Sequence, residues 1–202
     1  MSFLLSNDID SNISNTGLSS VTTLESKLLL TKLRNGSENN CVFVVCSDMG
    51  AQLPFLDSGA LSNPMVFQNV GHRFWQEGIE LYVEQEATTI VICGHSDCDF
   101  LRFLATPCEQ TADQREFLTR NFSIECSSVA RHIRESVHTN EADKWRDLSR
   151  WAVLRQLNAA VSSTSVSRRV EQEKLKLFGW LYDAETKRLE VFDPALSAFV
   201  TI

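Results

Sequence analysis

The stretch Cys41-Val-Phe-Val-Val-Cys46-Ser-Asp48 decides the fold. Six consecutive apolar residues make a run of strand length with no polar alternation. A strand of that kind is buried on both faces, as strands of a parallel sheet are. A second such run, Thr89-Ile-Val-Ile-Cys93, leads into Gly94-His95-Ser96-Asp97-Cys98. Between them, Met65-Val-Phe-Gln-Asn-Val70 reads as another short strand. Residues 72–86 read as a helix with Phe74, Ile79, Leu81 and Tyr82 mostly to one side. Strand, helix, strand at this spacing predicts a βαβ unit with a right-handed crossover.

Upstream, Leu24, Leu28 and Leu29 recur at helical spacing before Lys32, Arg34 and a stop at Gly36. Residues 1–20 are rich in Ser, Asn and Asp and are expected to form a flexible arm. Past Cys98 the chain turns helical: Asp99–Ala105, one or two helices over Thr111–Thr139, and Glu141–Val161. Leu175–Tyr182 and Arg188–Phe192, joined by a polar link, predict a hairpin. The class is therefore α/β, with a central, mostly parallel sheet flanked by helices. Residues 21–202 are expected to form one α/β domain.

Composition narrows the function. The 202 residues carry 19 basic and 26 acidic side chains, a net charge of −7. Phosphate backbones and anionic membranes both need a basic face, so neither is an expected partner. Six cysteines are too sparse for a disulfide scaffold at this length. No secretory or membrane-spanning segment is visible, and the expectation is a soluble cytoplasmic protein. There, cysteines beside histidines point to metal binding or catalysis.

Cys46-Ser47-Asp48 and Gly94-His95-Ser96-Asp97-Cys98 both follow a buried strand. Ligands of open α/β sheets bind outside the carboxyl ends of strands. If the two strands are neighbours, Cys46, His95 and Cys98 converge. Two thiolates and an imidazole suit Zn²⁺ and leave its fourth position for water or substrate. Cys41, Cys93, Cys108 and Cys126 are read as packing residues. Asp97 and Asp99 are read as first-turn helix acids, and Trp145, Trp151 and Trp180 as core or interface aromatics. A cysteine-phosphatase loop would need a downstream arginine, and position 52 is Gln52. No phosphate loop, dinucleotide fingerprint or C-x-x-C pair occurs. A Ser-His-Asp triad stays open, without a G-x-S-x-G elbow to support it.

These residues resemble the β-class carbonic anhydrases, whose pattern is C-x-D-x-R after one strand and H-x-x-C after a later one. Cys46-Ser47-Asp48 matches the first three defined positions, and His95-Ser96-Asp97-Cys98 the second motif. Phe67-Gln68-Asn69-Val70-Gly71-His72 is similar to the family's R-N-x-x-N segment. Lys174–Asp183 is similar to its late strand. The resemblance implies a helical N-terminal arm around a partner subunit, homodimers or multiples of dimers, and hydration of carbon dioxide to bicarbonate. It further implies zinc on Cys46, His95 and Cys98, with Asp48 orienting the attacking hydroxide.

Departures from the pattern carry their own expectations. Gly50 stands where the family has the arginine that holds its aspartate, Gln68 replaces the R-N arginine, and His72 replaces the second Asn. Ala60 falls where plant-type members have a substrate-binding glutamine. Without the arginine, Asp48 is expected to swing onto the metal, giving a Cys₂HisAsp shell and weak or absent activity at neutral pH. Arg73 is a candidate substitute cation, and His72 is a helix cap or proton shuttle. The alternatives are a catalytically silent, zinc-bearing binding or regulatory subunit, and a substrate-shifted homologue.

Overall fold

The structure, a computed structural model, describes residues 21–38, 40–49, 65–69, 83, 87–138 and 140–202. Its sheet has six strands in the order β2-β1-β3-β4-β5-β6. These are β1 (Cys41–Cys46), β2 (Met65–Asn69), β3 (Thr89–His95), β4 (Lys176–Asp183), β5 (Arg188–Asp193) and β6 (Ala198–Thr201). β2, β1, β3 and β4 run parallel, while β5 and β6 add as antiparallel hairpins. The expected strand at Thr89 is longer than its apolar run: it passes through Gly94 and ends on His95. β6 was not foreseen, its alternation being only four residues long.

Alternation along the buried strands sends side chains to two faces. Phe43, Val45, Val91, Cys93 and Trp180 face one core. It is covered by α1 (Thr23–Arg34), α2 (Asp99–Ala105) and α3 (Ala112–Glu135). Val42, Val44, Ile90, Ile92 and Leu177 face the other, under α4 (Glu141–Val161) and α5 (Thr164–Glu171). Both faces are thus covered, which is why β1 and β3 tolerate no polar alternation. α5 is a further element beyond those expected from the sequence. It is short, and only Val166 and Val170 mark its buried side.

α4 lies close over β3 and β4. A Cβ at Gly94 would stand 2.7 Å from Val153 Cγ2, and one at Gly179 would stand 2.6 Å from Leu157 Cδ1. Both glycines are there for close approach. Arg150 clamps Glu190 with two hydrogen bonds of 2.8 Å, and Arg146 holds Asp183 at 2.9 Å, fixing α4 against β4 and β5.

α1 begins with a capping box between Thr22 and Glu25. It is anchored on this chain's own body: Thr23 donates its amide and hydroxyl to Asp193 Oδ2 at 2.9 and 2.6 Å, and Leu29 and Leu33 enter the core. Leu24 and Leu28 stay exposed on its outer side. The expected arm over residues 1–20 and the expected helix over 72–86, Val83 apart, lie outside the described residues.

Candidate metal centre

Cys46 closes β1 and His95 closes β3. The two strands are parallel neighbours, with Val45 opposite Cys93, so both residues reach the same end of the sheet. Past Cys46 the chain turns back: Met49 donates its amide to the Cys46 carbonyl, and Ser47 donates to the Asn69 carbonyl at 2.9 Å. That turn carries Asp48. Past His95 a two-residue turn, Ser96-Asp97, delivers Cys98 to the N-cap of α2. The Ser96 amide donates to the Tyr182 carbonyl at 3.0 Å, and Ser96 Oγ accepts the Ala184 amide at 3.1 Å, so β4 pins this turn.

One ligand atom from each of Cys46, Asp48, His95 and Cys98 lies within 4.8 Å of every other. No other such group of three or more ligating side chains occurs among the described residues. Sγ of Cys46 and Sγ of Cys98 are 3.8 Å apart. Neither is in a disulfide. Two sulfurs about 2.3 Å from a tetrahedral zinc would stand about 3.8 Å apart. A disulfide needs about 2 Å. Cys46, His95 and Cys98 are each 3% exposed or less, so a buried pair of thiolates there calls for a cation. The residues fit zinc.

Asp48 is held from two sides. Its Oδ1 lies 2.6 Å from His95 Nε2, and its Oδ2 accepts the Asp99 amide at 2.9 Å. Burial favours the neutral acid, but hydrogen bonds from His95 and Cys46 outweigh it and hold the carboxyl below the usual carboxylate range. Burial disfavours the His95 imidazolium, yet hydrogen bonds to Asp48, Cys46 and Asp97 outweigh that and raise it to about 10. The hydrogen bond with Cys46 and burial push the Cys98 thiol well above the ordinary thiol range.

The sequence-predicted ligands Cys46, His95 and Cys98 are together, and Asp48 is with them. Asp99 opens α2 as expected. Asp97 does not belong to the helix: it lies before the N-cap, with Oδ1 at 2.7 Å from His95 Nδ1. The H-x-D-C spacing carried that signal, since a carboxylate two residues after a ligating histidine can reach its second nitrogen. Asn69 was likewise missed as a support. Its side chain donates to Gln156 of α4 at 2.7 Å while its carbonyl holds the Cys46 turn. Cys41 and Cys93 are packed as expected, whereas Cys108 is exposed and Cys126 only half-buried. Trp180 and Trp151 are core residues, and Trp151 stacks on His132. Gln68 is exposed on β2; Gly50, Ala60, His72 and Arg73 lie outside the described residues.

Comparison with known proteins agrees with this geometry. The family model for carbonic anhydrase matches residues 42–189. The chain is 28% identical over 171 residues to a carbonic anhydrase of Pseudomonas aeruginosa, covering 80% of this chain and 76% of that protein. The fold is similar to that of the β-carbonic anhydrase CcaA, with a TM-score of 0.61 at 20% identity over 87% of this chain and 90% of that one. It is also similar to a structure from a study of two tetrameric β-carbonic anhydrases of Sordaria macrospora. There the TM-score is 0.57 at 15% identity, over 83% of this chain and 87% of that one.

Proposed function

The chain belongs to the β-class carbonic anhydrase family, and from that premise we propose that it catalyses the reversible hydration of carbon dioxide with zinc held by Cys46, His95 and Cys98. The observation that carries the reading is the convergence of these three side chains, with their sulfurs at a spacing that suits tetrahedral zinc. Zinc bound there supplies a Lewis acid that lowers the pKa of water. Asp48 would accept a hydrogen bond from the attacking water and thereby aim its lone pair at carbon dioxide. Its Oδ2, tied to the Asp99 amide, keeps the carboxylate from rotating freely. The surrounding burial keeps bulk water away from the thiolates.

A second reading has its own support. Asp48 Oδ1 sits inside the donor cluster, and among the described residues its ion-pair partner is His95 rather than a lysine or arginine. Position 50 is glycine. A carboxylate that stays there takes the place the reacting water needs, which favours a zinc-bearing but silent homologue. Stopped-flow carbon dioxide hydration by the zinc-loaded protein separates the two. A rate above buffer supports the enzyme; bound zinc without hydration supports the silent homologue.

We also propose a dimer-based oligomer and a cytoplasmic location. The exposed Leu24 and Leu28 on α1 support the first, and six cysteines with no disulfide among them, which suit a reducing compartment, support the second. No helix among the described residues is long and apolar enough to cross a membrane. Residues 21–202 are proposed to act as one domain, with the described elements gathered on one sheet.

A further inference from the structure

We propose that Asp97 is the positioning residue of the metal centre, holding the His95 ring through Nδ1 so that Nε2 faces the other ligands. This rests on the reading of Cys46, His95 and Cys98 as zinc ligands. Asp97 Oδ1 lies 2.7 Å from His95 Nδ1, and on the opposite side of the ring Nε2 faces Asp48. A carboxylate at Nδ1 accepts that nitrogen's N–H, so that once a metal takes the place of the proton between Nε2 and Asp48, the lone pair is on Nε2. It thus selects both the tautomer and the ring angle that a metal requires.

The backbone is built to keep this contact. The Ser96-Asp97 turn is short, and β4 grips Ser96 through both its amide and its hydroxyl. Immediately after the turn, Cys98 is tied into α2, its carbonyl accepting the Arg102 amide at 3.1 Å. One four-residue segment therefore supplies two metal ligands and the group that orients the first. A capping role does not explain Asp97, because α2 begins at Asp99 and Asp97 precedes its N-cap. The geometry also makes the residue testable. The Asp97 side chain is 44% exposed while His95 is 3% exposed. The carboxylate reaches in from the surface, and removing it empties no core.

The experiment compares wild-type protein with Asp97→Ala and Asp97→Asn. Zinc affinity is measured by competition with a chromogenic chelator, zinc alone being the ligand. Asp97→Ala should weaken zinc about 10–100-fold. Asp97→Asn, whose amide oxygen still accepts the Nδ1 proton, should recover most of the loss. Long-range ¹H–¹⁵N spectra of the zinc-loaded wild type should show His95 protonated at Nδ1, with that proton shifted upfield in Asp97→Ala, where its hydrogen bond is gone. The melting temperatures of the metal-free proteins should agree. Wild-type affinity in Asp97→Ala overturns the inference while leaving the zinc site standing. An Asp97→Asn protein as weak as Asp97→Ala overturns it too, as does a metal-free Asp97→Ala that melts lower. A wild-type protein that binds no zinc overturns the site reading and this inference together.

Discussion

Asp48 Oδ1 lies 2.6 Å from His95 Nε2, so the turn after β1 is bonded to the last residue of β3 across the strand ends. The carboxylate has no arginine two positions on, and its other oxygen is taken by the Asp99 amide. Gly50→Arg should give it a competing charged partner, and such hydrogen bonds contribute about 1.5–3 kcal/mol. The expected result is a carbon dioxide hydration rate at least about tenfold higher at unchanged zinc content. An unchanged rate would mean that the missing arginine is not what limits the site.

Close packing of α4 on the sheet leads to a second expectation. Gly179 faces Leu157 and Val153, both fully packed. Gly179→Val should lower stability by about 1–3 kcal/mol through overpacking, read as a lower urea midpoint. Cys46, His95 and Cys98 lie at and beyond the carboxyl ends of β1 and β3, past Ile92 that pairs with Gly179, and should still bind zinc. A midpoint equal to wild type would show that α4 can move away without penalty.

Acid should loosen α1 from the body. Burial favours the neutral form of Asp193, but hydrogen bonds from the Thr23 hydroxyl and amide and the Ala195 and Leu196 amides outweigh it and hold its carboxyl below the usual range. Burial likewise opposes the charge on Asp183, where the Thr186 amide and Arg146 lower it instead. A carboxyl lowered in the folded state stabilises fully above its unfolded pKa of about 3.9. That contribution disappears as pH falls through the lower folded value. Unfolding free energy should therefore drop below about pH 4, and Asp193→Asn should flatten the drop. An identical pH slope in the variant would remove Asp193 from the account.

Much of this was legible in the sequence, for physical reasons that differ by element. β1 and β3 announce themselves because a strand buried on both faces has no polar positions. Glu141–Val161 was found end to end, because a long helix repeats its pattern and Asn140 caps it. β6 and α5 carry too few residues to show a period, and they form because β5 and α4 are already in place to receive them. The convergence of Cys46, His95 and Cys98 was legible because two sulfurs and an imidazole at strand ends have few other uses. Asp97 was misread because an acid near a helix start has a commonplace explanation, and only the turn geometry shows it reaching back to His95. The partners of Asp48 were equally hidden: a backbone amide leaves no trace in residue type.

The central claim is that Cys46, His95 and Cys98 hold zinc. Its most direct test is the zinc content of the purified full-length protein beside Cys98→Ser, by elemental analysis after dialysis. The expected result is about one zinc per wild-type chain and close to none in the variant. A wild-type chain without zinc, or a variant that keeps its full complement, would contradict it.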